Sequence, residues 1–120
     1  MGDAGNQAKF CYFQHTVYQI VFCAQLGDAN FYVCITNNLN ETMAKWKIQP
    51  PNWVRKHNFK KIIEVEPYGN QHALYAMVVS YMAKYGQNKV RSSIPGHNSV
   101  DNLEQPPAFY DEFMSRFRIE

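Results

Sequence analysis

The sequence predicts an α+β domain: a small three-stranded antiparallel sheet with flanking helices, followed by a C-terminal amphipathic helix. Two observations support this class. Two β-branched and aromatic runs are separated by a short turn sequence, which is typical of a hairpin. Two later segments have apolar residues at helical spacing, with a third extended run between them. The 120 residues are enough for one hydrophobic core, so we expect a single domain.

The strands are predicted from runs of β-forming residues. Residues 15–25, "HTVYQIVFCAQ", have apolar side chains on both faces, which favours a central strand. Residues 27–30 form the turn, and residues 31–35 return as the second strand of the hairpin. Residues 59–65, "FKKIIEV", are predicted to be the third strand.

The helices are predicted from spacing and end signals. Asn37 or Asn38 caps a helix near 37–47, whose apolar positions Leu39, Met43 and Trp46 recur at i, i+4 and i+7. Pro50-Pro51 ends this helix and begins an irregular connection. Asn70 caps a second helix, near 70–85, and Gly86 stops it. Its apolar face consists of Leu74, Met77, Val78, Tyr81, Met82 and Tyr85.

A C-terminal aromatic stripe follows Pro106-Pro107. Phe109, Phe113 and Phe117 recur at i, i+4 and i+8 and share one face of the predicted helix over 106–118. They either complete the domain's own core or insert into a partner, and they are the candidate partner-binding residues. The chain therefore divides into an N-terminal arm (1–14), the α+β domain (15–93) and a loop with the C-terminal helix (94–120).

Charge is unevenly distributed along the chain. Residues 29–100 hold nine Lys and Arg against three acids, a net of +6, and residues 101–120 hold five acids against two Arg, a net of −3. Between Lys45 and Lys61 there is no acid, and Trp46, Trp53 and Phe59 are interleaved with the basic residues. Such a segment can follow a phosphate backbone and stack bases, although a solvated protein surface has the same composition. The candidate nucleic-acid-binding residues are Lys45, Lys47, Arg55, Lys56, Lys60 and Lys61.

A family resemblance rests on motifs in this order of elements. Thr16-Val17-Tyr18 and Tyr32-Val33-Cys34 stand where the GIY-YIG nucleases have their two tripeptides. Thr36-Asn37-Asn38-Leu39 resembles that family's entry into its first helix. The stretch "YMAKYGQNKVRSS", residues 81–93, resembles the helix end of GIY-YIG-like proteins in large DNA viruses and some phages. The similarity covers roughly residues 16–93.

The resemblance also implies which catalytic groups are missing. The family's two tyrosines correspond to Tyr18 and Tyr32, but its arginine position is Thr42 and its metal-binding glutamate position lies near Ala76. No arginine precedes Arg55, and no Asp or Glu occurs between Glu66 and Asp101. Metal-assisted phosphodiester cleavage needs a carboxylate for the cation and a positive group for the phosphate. We therefore expect no catalysis and regard these four residues as vestigial site positions.

Other chemistries have weaker support, and we expect no cofactor and no metal. Cys11 and His15 could be half of a zinc site, but no second half follows at a suitable spacing. Cys34 could pair with His57 or His72, although its apolar strand favours an inert buried thiol. Glu64 and Glu66 alternate on one strand face, where solvated residues are the simpler interpretation.

Two classes of function remain open. One is a structural or interaction subunit of a larger assembly, with a minor viral capsid or virion protein as the specific case suggested by the resemblance. The other is a nucleic-acid-binding protein or residual structure-specific endonuclease. No apolar run approaches membrane-spanning length and no secretory signal is evident, so we expect an intracellular, virion-associated location, with protein subunits as partners.

Overall fold

The computed structural model describes residues 18–98, which form an α+β domain with a four-stranded mixed sheet and flanking helices. The strands are β1 (Gln19–Leu26), β2 (Asn30–Thr36), β3 (Phe59–Gly69) and β4 (Val90–Ser92). The helices are α1 (Leu39–Ile48), α2 (Asn52–His57) and α3 (Gln71–Tyr85), and a 3-10 turn (Gln87–Lys89) joins α3 to β4. The N-terminal arm and the predicted C-terminal helix lie outside the described residues.

The sheet has the strand order β3-β1-β2-β4. β1 pairs antiparallel with β2, with Phe22 opposite Cys34, and antiparallel with β3, with Phe22 opposite Val65. The predicted hairpin, the third strand and the central position of the first strand are therefore confirmed. The prediction of only three strands is wrong, because β4 pairs parallel with β2 from Phe31↔Val90 to Val33↔Ser92. This strand is three residues long, too short for a periodic signal.

Two hydrophobic clusters lie on opposite faces of the sheet, because successive strand residues point to opposite sides. The first cluster packs beneath α3 and contains Val21, Cys23, Phe31, Val33, Leu74, Met77, Val78, Met82, Val90 and Ile94. The second packs beneath α1 and α2 and contains Phe22, Ala24, Leu26, Tyr32, Cys34, Trp53 and Val54. The domain is thus a three-layer arrangement of helices, sheet and helix.

The ends of the two long helices follow the sequence signals. Asn38 Oδ1 accepts a hydrogen bond from the Glu41 N–H at 3.0 Å, so Asn38 rather than Asn37 caps α1. Asn70 Oδ1 accepts from the Ala73 N–H at 2.8 Å. Gly86 follows α3 with φ of 105°, a conformation that glycine adopts without steric cost.

The segment after Pro51 is helical, which corrects the prediction of an irregular connection. The Arg55 N–H donates to the Pro51 carbonyl at 2.9 Å, and Trp53 and Val54 are buried beneath the short helix α2. A six-residue helix is hardly longer than one turn and a half, so its periodicity cannot be recognised in the sequence. Its existence depends on burying those two side chains against the sheet.

Candidate functional site

A groove opens between α1, α2 and the start of β3. It has a volume of about 490 Å³, within the range of ligand-binding clefts. Its walls are mostly apolar, with two basic side chains among them. The lining residues are Met43, Trp46, Lys47, Pro50, Val54, Arg55, Asn58 and Phe59. We call this surface the α1–α2 groove.

The groove exists because α1 covers the sheet incompletely. Leu39, Met43 and Trp46 pack against the second cluster, but α1 has no fully buried residue. Pro50-Pro51 ends the helix and turns the chain into α2, whose Val54 is buried next to the sheet. The groove lies between the two helices, and apolar side chains of α1, Met43 and Trp46, line it.

Asn58 lines the groove and has an uncommon backbone conformation. Its φ is 66°, a region that asparagine tolerates better than most other residues. Its N–H donates to the Val54 carbonyl at 2.8 Å, and its carbonyl accepts from the Gly27 N–H at 3.0 Å. These bonds hold the entry into β3, whose first residue, Phe59, also lines the groove.

Aromatic rings connect the groove to the core. The Trp46 ring centroid lies 5.7 Å from that of Phe22, 5.6 Å from that of Tyr32 and 6.0 Å from that of Phe59. Phe22 and Tyr32 are buried, whereas Phe59 keeps 44% of its surface exposed. An apolar ligand in the groove would therefore contact Trp46, whose ring packs on the buried rings of Phe22 and Tyr32.

Only part of the predicted basic segment lines the α1–α2 groove. Of its six candidate residues, Lys47 and Arg55 line the groove. Arg55 is exposed, and its Nη2 donates to Asn52 Oδ1 at 2.9 Å, which orients the guanidinium. The four other candidates are also exposed but do not line the groove: Lys45, Lys56, Lys60 and Lys61. The groove therefore combines a mostly apolar lining with two basic side chains.

The four positions that the family resemblance singles out do not all lie on one face of the sheet. Tyr32 belongs to the cluster beneath α1 and α2, is only 3% exposed, and has its pKa raised by burial. Tyr18 is 62% exposed and packs edge-to-face on Tyr68 at 5.1 Å. Thr42 Oγ1 donates to Thr36 Oγ1 at 2.7 Å. Ala76 lies on α3, across the sheet from Tyr32.

A second, smaller groove of about 290 Å³ lies on the α3 side of the sheet, lined by Glu64, Glu66, Ala73, Ala76, Met77 and Ser80. The Tyr81 hydroxyl donates to Glu64 Oε1 at 2.8 Å. Burial and this hydrogen bond raise the pKa of Tyr81. Among residues 18–98, no group of three or more His, Cys, Asp or Glu side chains is arranged to hold a metal ion.

The cysteines of the sheet are unsuited to nucleophilic chemistry. Cys23 and Cys34 are free and buried, and burial raises the pKa of Cys23 to about 12 and that of Cys34 to about 11. Both are neutral thiols at physiological pH, and the thiolate is the reactive form. Cys34 has Ser93 as its hydrogen-bonding neighbour, while the His57 ring packs on Trp53 at 4.2 Å. Cys11 and His15 lie outside the described residues.

Sequence reasoning did not find the buried pair Ser92 and His97. Ser92 Oγ lies 2.6 Å from His97 Nδ1, and both residues are at most 1% exposed. The same serine accepts from the Ile94 N–H, and its own N–H donates to the His97 carbonyl. Because it is sealed from solvent, the pair stabilises the turn after β4 and cannot reach a substrate. The candidate partner-binding residues Phe109, Phe113 and Phe117 lie outside the described residues.

No family model, no curated protein and no solved structure matches the chain. Within residues 18–98, no helix has the length and apolar character needed to span a membrane.

Proposed function

We propose that the chain is a catalytically inactive GIY-YIG-like protein that acts as an interaction subunit of a larger assembly. The α1–α2 groove is the observation that carries the proposal. Its lining is mostly apolar and includes the exposed Phe59 together with two basic side chains, Lys47 and Arg55. Exposed apolar surface of this kind, bordered by charged groups, is typical of a protein-binding site.

The chemistry of the groove defines the partner. Burying an aromatic or branched aliphatic side chain against Trp46 and Phe59 would contribute roughly 1.5–3 kcal/mol. Carboxylates flanking that side chain would pair with Lys47 and Arg55, and arginine accepts a carboxylate in bidentate geometry. The preferred partner is therefore an acidic polypeptide segment that carries aromatic or aliphatic anchors.

The arrangement of the vestigial positions supports the absence of catalysis. A phosphodiesterase needs its cation ligand, its phosphate-binding cation and its water-activating groups within reach of one substrate. Here Tyr32 is buried on one face of the sheet, and Ala76 lies at a groove on the other face. Since the resemblance is to proteins of large DNA viruses, a minor capsid or virion component is the specific form of the proposal.

The test is stoichiometric copurification from the natural source. The wild-type protein is expected to remain with one particle or complex at a fixed ratio. Phe59→Asp, which puts a charge at the mouth of the groove, should be lost from it. Val65→Asp is the matched control, because Val65 lies on the same strand, is equally exposed and does not line the groove. Free wild-type protein, or equal loss of both variants, would reject the proposal.

A second candidate function is nucleic-acid binding. It is favoured by the six basic residues between Lys45 and Lys61 and by the rings of Trp46 and Phe59 at the groove. Binding of a single-stranded oligonucleotide should then weaken steeply with salt, because cations are released from the phosphates. Arg55→Glu should abolish it. Affinity that does not change with salt would argue against this candidate.

A further inference from the structure

Strand β3 forms one edge of the sheet. Among the described strands it has a neighbour, β1, on one side only, so the backbone groups of its other side have no partner strand within residues 18–98. It is eleven residues long, and all of them except Ile62 and Gly69 are exposed. Its exposed apolar side chains are Phe59, Ile63, Val65 and Tyr68. A sheet edge of this kind is a template for pairing with a further strand.

We propose that the chain forms a two-fold symmetric dimer in which β3 of one copy pairs antiparallel with β3 of a second copy. The pairing joins the two four-stranded sheets into one continuous sheet. The inference goes beyond the proposed function and does not depend on it, because each copy contains all of the α1–α2 groove.

Two apolar residues of β3 point to the α1 side of the sheet. Residues that lie directly opposite each other in neighbouring antiparallel strands share a face. Ile62 lies opposite Ala24, and Val65 lies opposite Phe22. Both partners belong to the second cluster, which packs beneath α1 and α2, so both β3 residues point to that side.

Two charged residues of β3 point to the other side of the sheet, toward α3. Glu66 lies opposite Val21 of the first cluster and lines the smaller groove beside α3. Lys61 lies opposite Gln25, which alternation along β1 places on the same face as Val21. β3 therefore carries an apolar pair of residues on one face and a pair of opposite charges on the other.

One antiparallel register between two copies matches both faces at once. When Lys61 of one copy lies opposite Glu66 of the other, Ile62 lies opposite Val65. The two-fold symmetry repeats each pair, which gives two Lys–Glu pairs on the α3 side and two apolar pairs on the α1 side. Cross-strand pairs of both kinds stabilise a sheet. A shift by one residue would place Lys61 opposite Val65 or Ile62 opposite Glu66, so the match would be lost.

Other features of β3 protect its edge from indiscriminate pairing. They are Lys60, Pro67 and the irregularities in the ladder that β3 forms with β1. In the proposed register Lys60 lies opposite Pro67, which has no N–H to donate. These features oppose pairing with strands of unrelated sequence, whereas the matched charges and apolar residues favour a second copy of the chain.

Charge exchange in the full-length chain tests the dimer and its register. Sedimentation velocity at low salt, where exposed charges interact most strongly, should show the wild-type chain dimerising as its concentration rises. Lys61→Glu and Glu66→Lys should each weaken the dimer on the order of tenfold or more, because two attractive pairs become repulsive. An equimolar mixture of these two variants should dimerise again, since each acidic position then faces a basic one.

Lys60→Glu is the matched control, because it makes the same change of charge on the same strand but lies opposite Pro67. It should leave the dimer intact, and circular dichroism checks that every variant is folded. A wild-type chain that stays monomeric would overturn the inference. Equal weakening by Lys60→Glu and Lys61→Glu, or a mixture of Lys61→Glu and Glu66→Lys that stays monomeric, would overturn it as well. The copurification test of the α1–α2 groove does not depend on these outcomes.

Discussion

His57 is the last residue of α2, and its surroundings disfavour its charged form. Burial lowers its pKa, and the nearby charges of Lys56, Lys89 and Arg91 add to the effect. Its Nε2 is buried and has no hydrogen-bond partner within the described structure. The unfolded chain, with a histidine pKa near 6.5, therefore binds a proton more readily than the folded one.

Because of this difference in pKa, we expect the domain to lose stability in acid. Stability contributed by neutral His57 is present above about pH 6.5 and is lost as the pH falls toward the folded pKa. Denaturant unfolding at pH 7.5 and pH 5.5 should show a smaller pH-dependent loss for His57→Gln than for the wild type. Equal losses in the two proteins would show that His57 is not the group responsible.

The two tryptophans are expected to contribute differently to the free energy of unfolding, although both pack in the second hydrophobic cluster. The buried Trp53 donates its indole N–H to the Phe31 carbonyl, and the Arg91 guanidinium lies 4.4 Å above its ring. Trp53→Phe leaves that carbonyl without its donor and should cost about 1–3 kcal/mol of unfolding free energy. Trp46→Phe, at the half-exposed groove, should cost less. Urea unfolding of both variants checks the order, and a larger loss for Trp46→Phe would contradict it.

At the scale of elements, the N-cap of α1 can be tested by substituting Asn38, with the neighbouring Asn37 as the control. Asn38 accepts the Glu41 N–H, whereas the exposed Asn37 does not cap the helix. Asn38→Ala should destabilise the domain by about 1 kcal/mol, a typical cost for losing an N-cap. Asn37→Ala should have almost no effect. Thermal unfolding distinguishes the two, and equal changes would mean that the cap contributes nothing.

The elements that the sequence predicts are those with a long period or a strong end signal. β1, β2 and the two long helices follow from alternation, spacing and their Asn and Gly end residues. α2 and β4 were missed because six and three residues cannot establish a period, and both form through contacts with β2. The groove could not be predicted for the same reason, because α2 forms part of its wall. Most of its lining residues are named in the sequence analysis for other reasons, and only Val54 and Asn58 are not.

At the scale of the whole molecule, we expect no metal-dependent nuclease activity. Plasmid, branched and single-stranded substrates should stay intact with magnesium or manganese. Loss of one transition-state charge stabiliser commonly costs on the order of a hundredfold or more in rate. The positions that the GIY-YIG resemblance assigns to the arginine and to the metal-binding glutamate are Thr42 and Ala76. If the resemblance holds, Thr42→Arg alone should restore nothing, because Ala76 offers no metal ligand. Cleavage that is abolished by Tyr32→Phe would contradict this expectation.

In the proposed function, the α1–α2 groove contacts a polypeptide of the assembly. Site-specific photo-crosslinking measures this directly, with the crosslinker placed at Lys47 on the groove or, as a control, at the exposed Ser80 across the sheet. We predict that Lys47 couples in high yield to one polypeptide of the assembly, through a segment containing acidic and aromatic residues, and that Ser80 does not. Coupling to nucleic acid from Lys47, or equal coupling of the same polypeptide from both positions, would contradict the account.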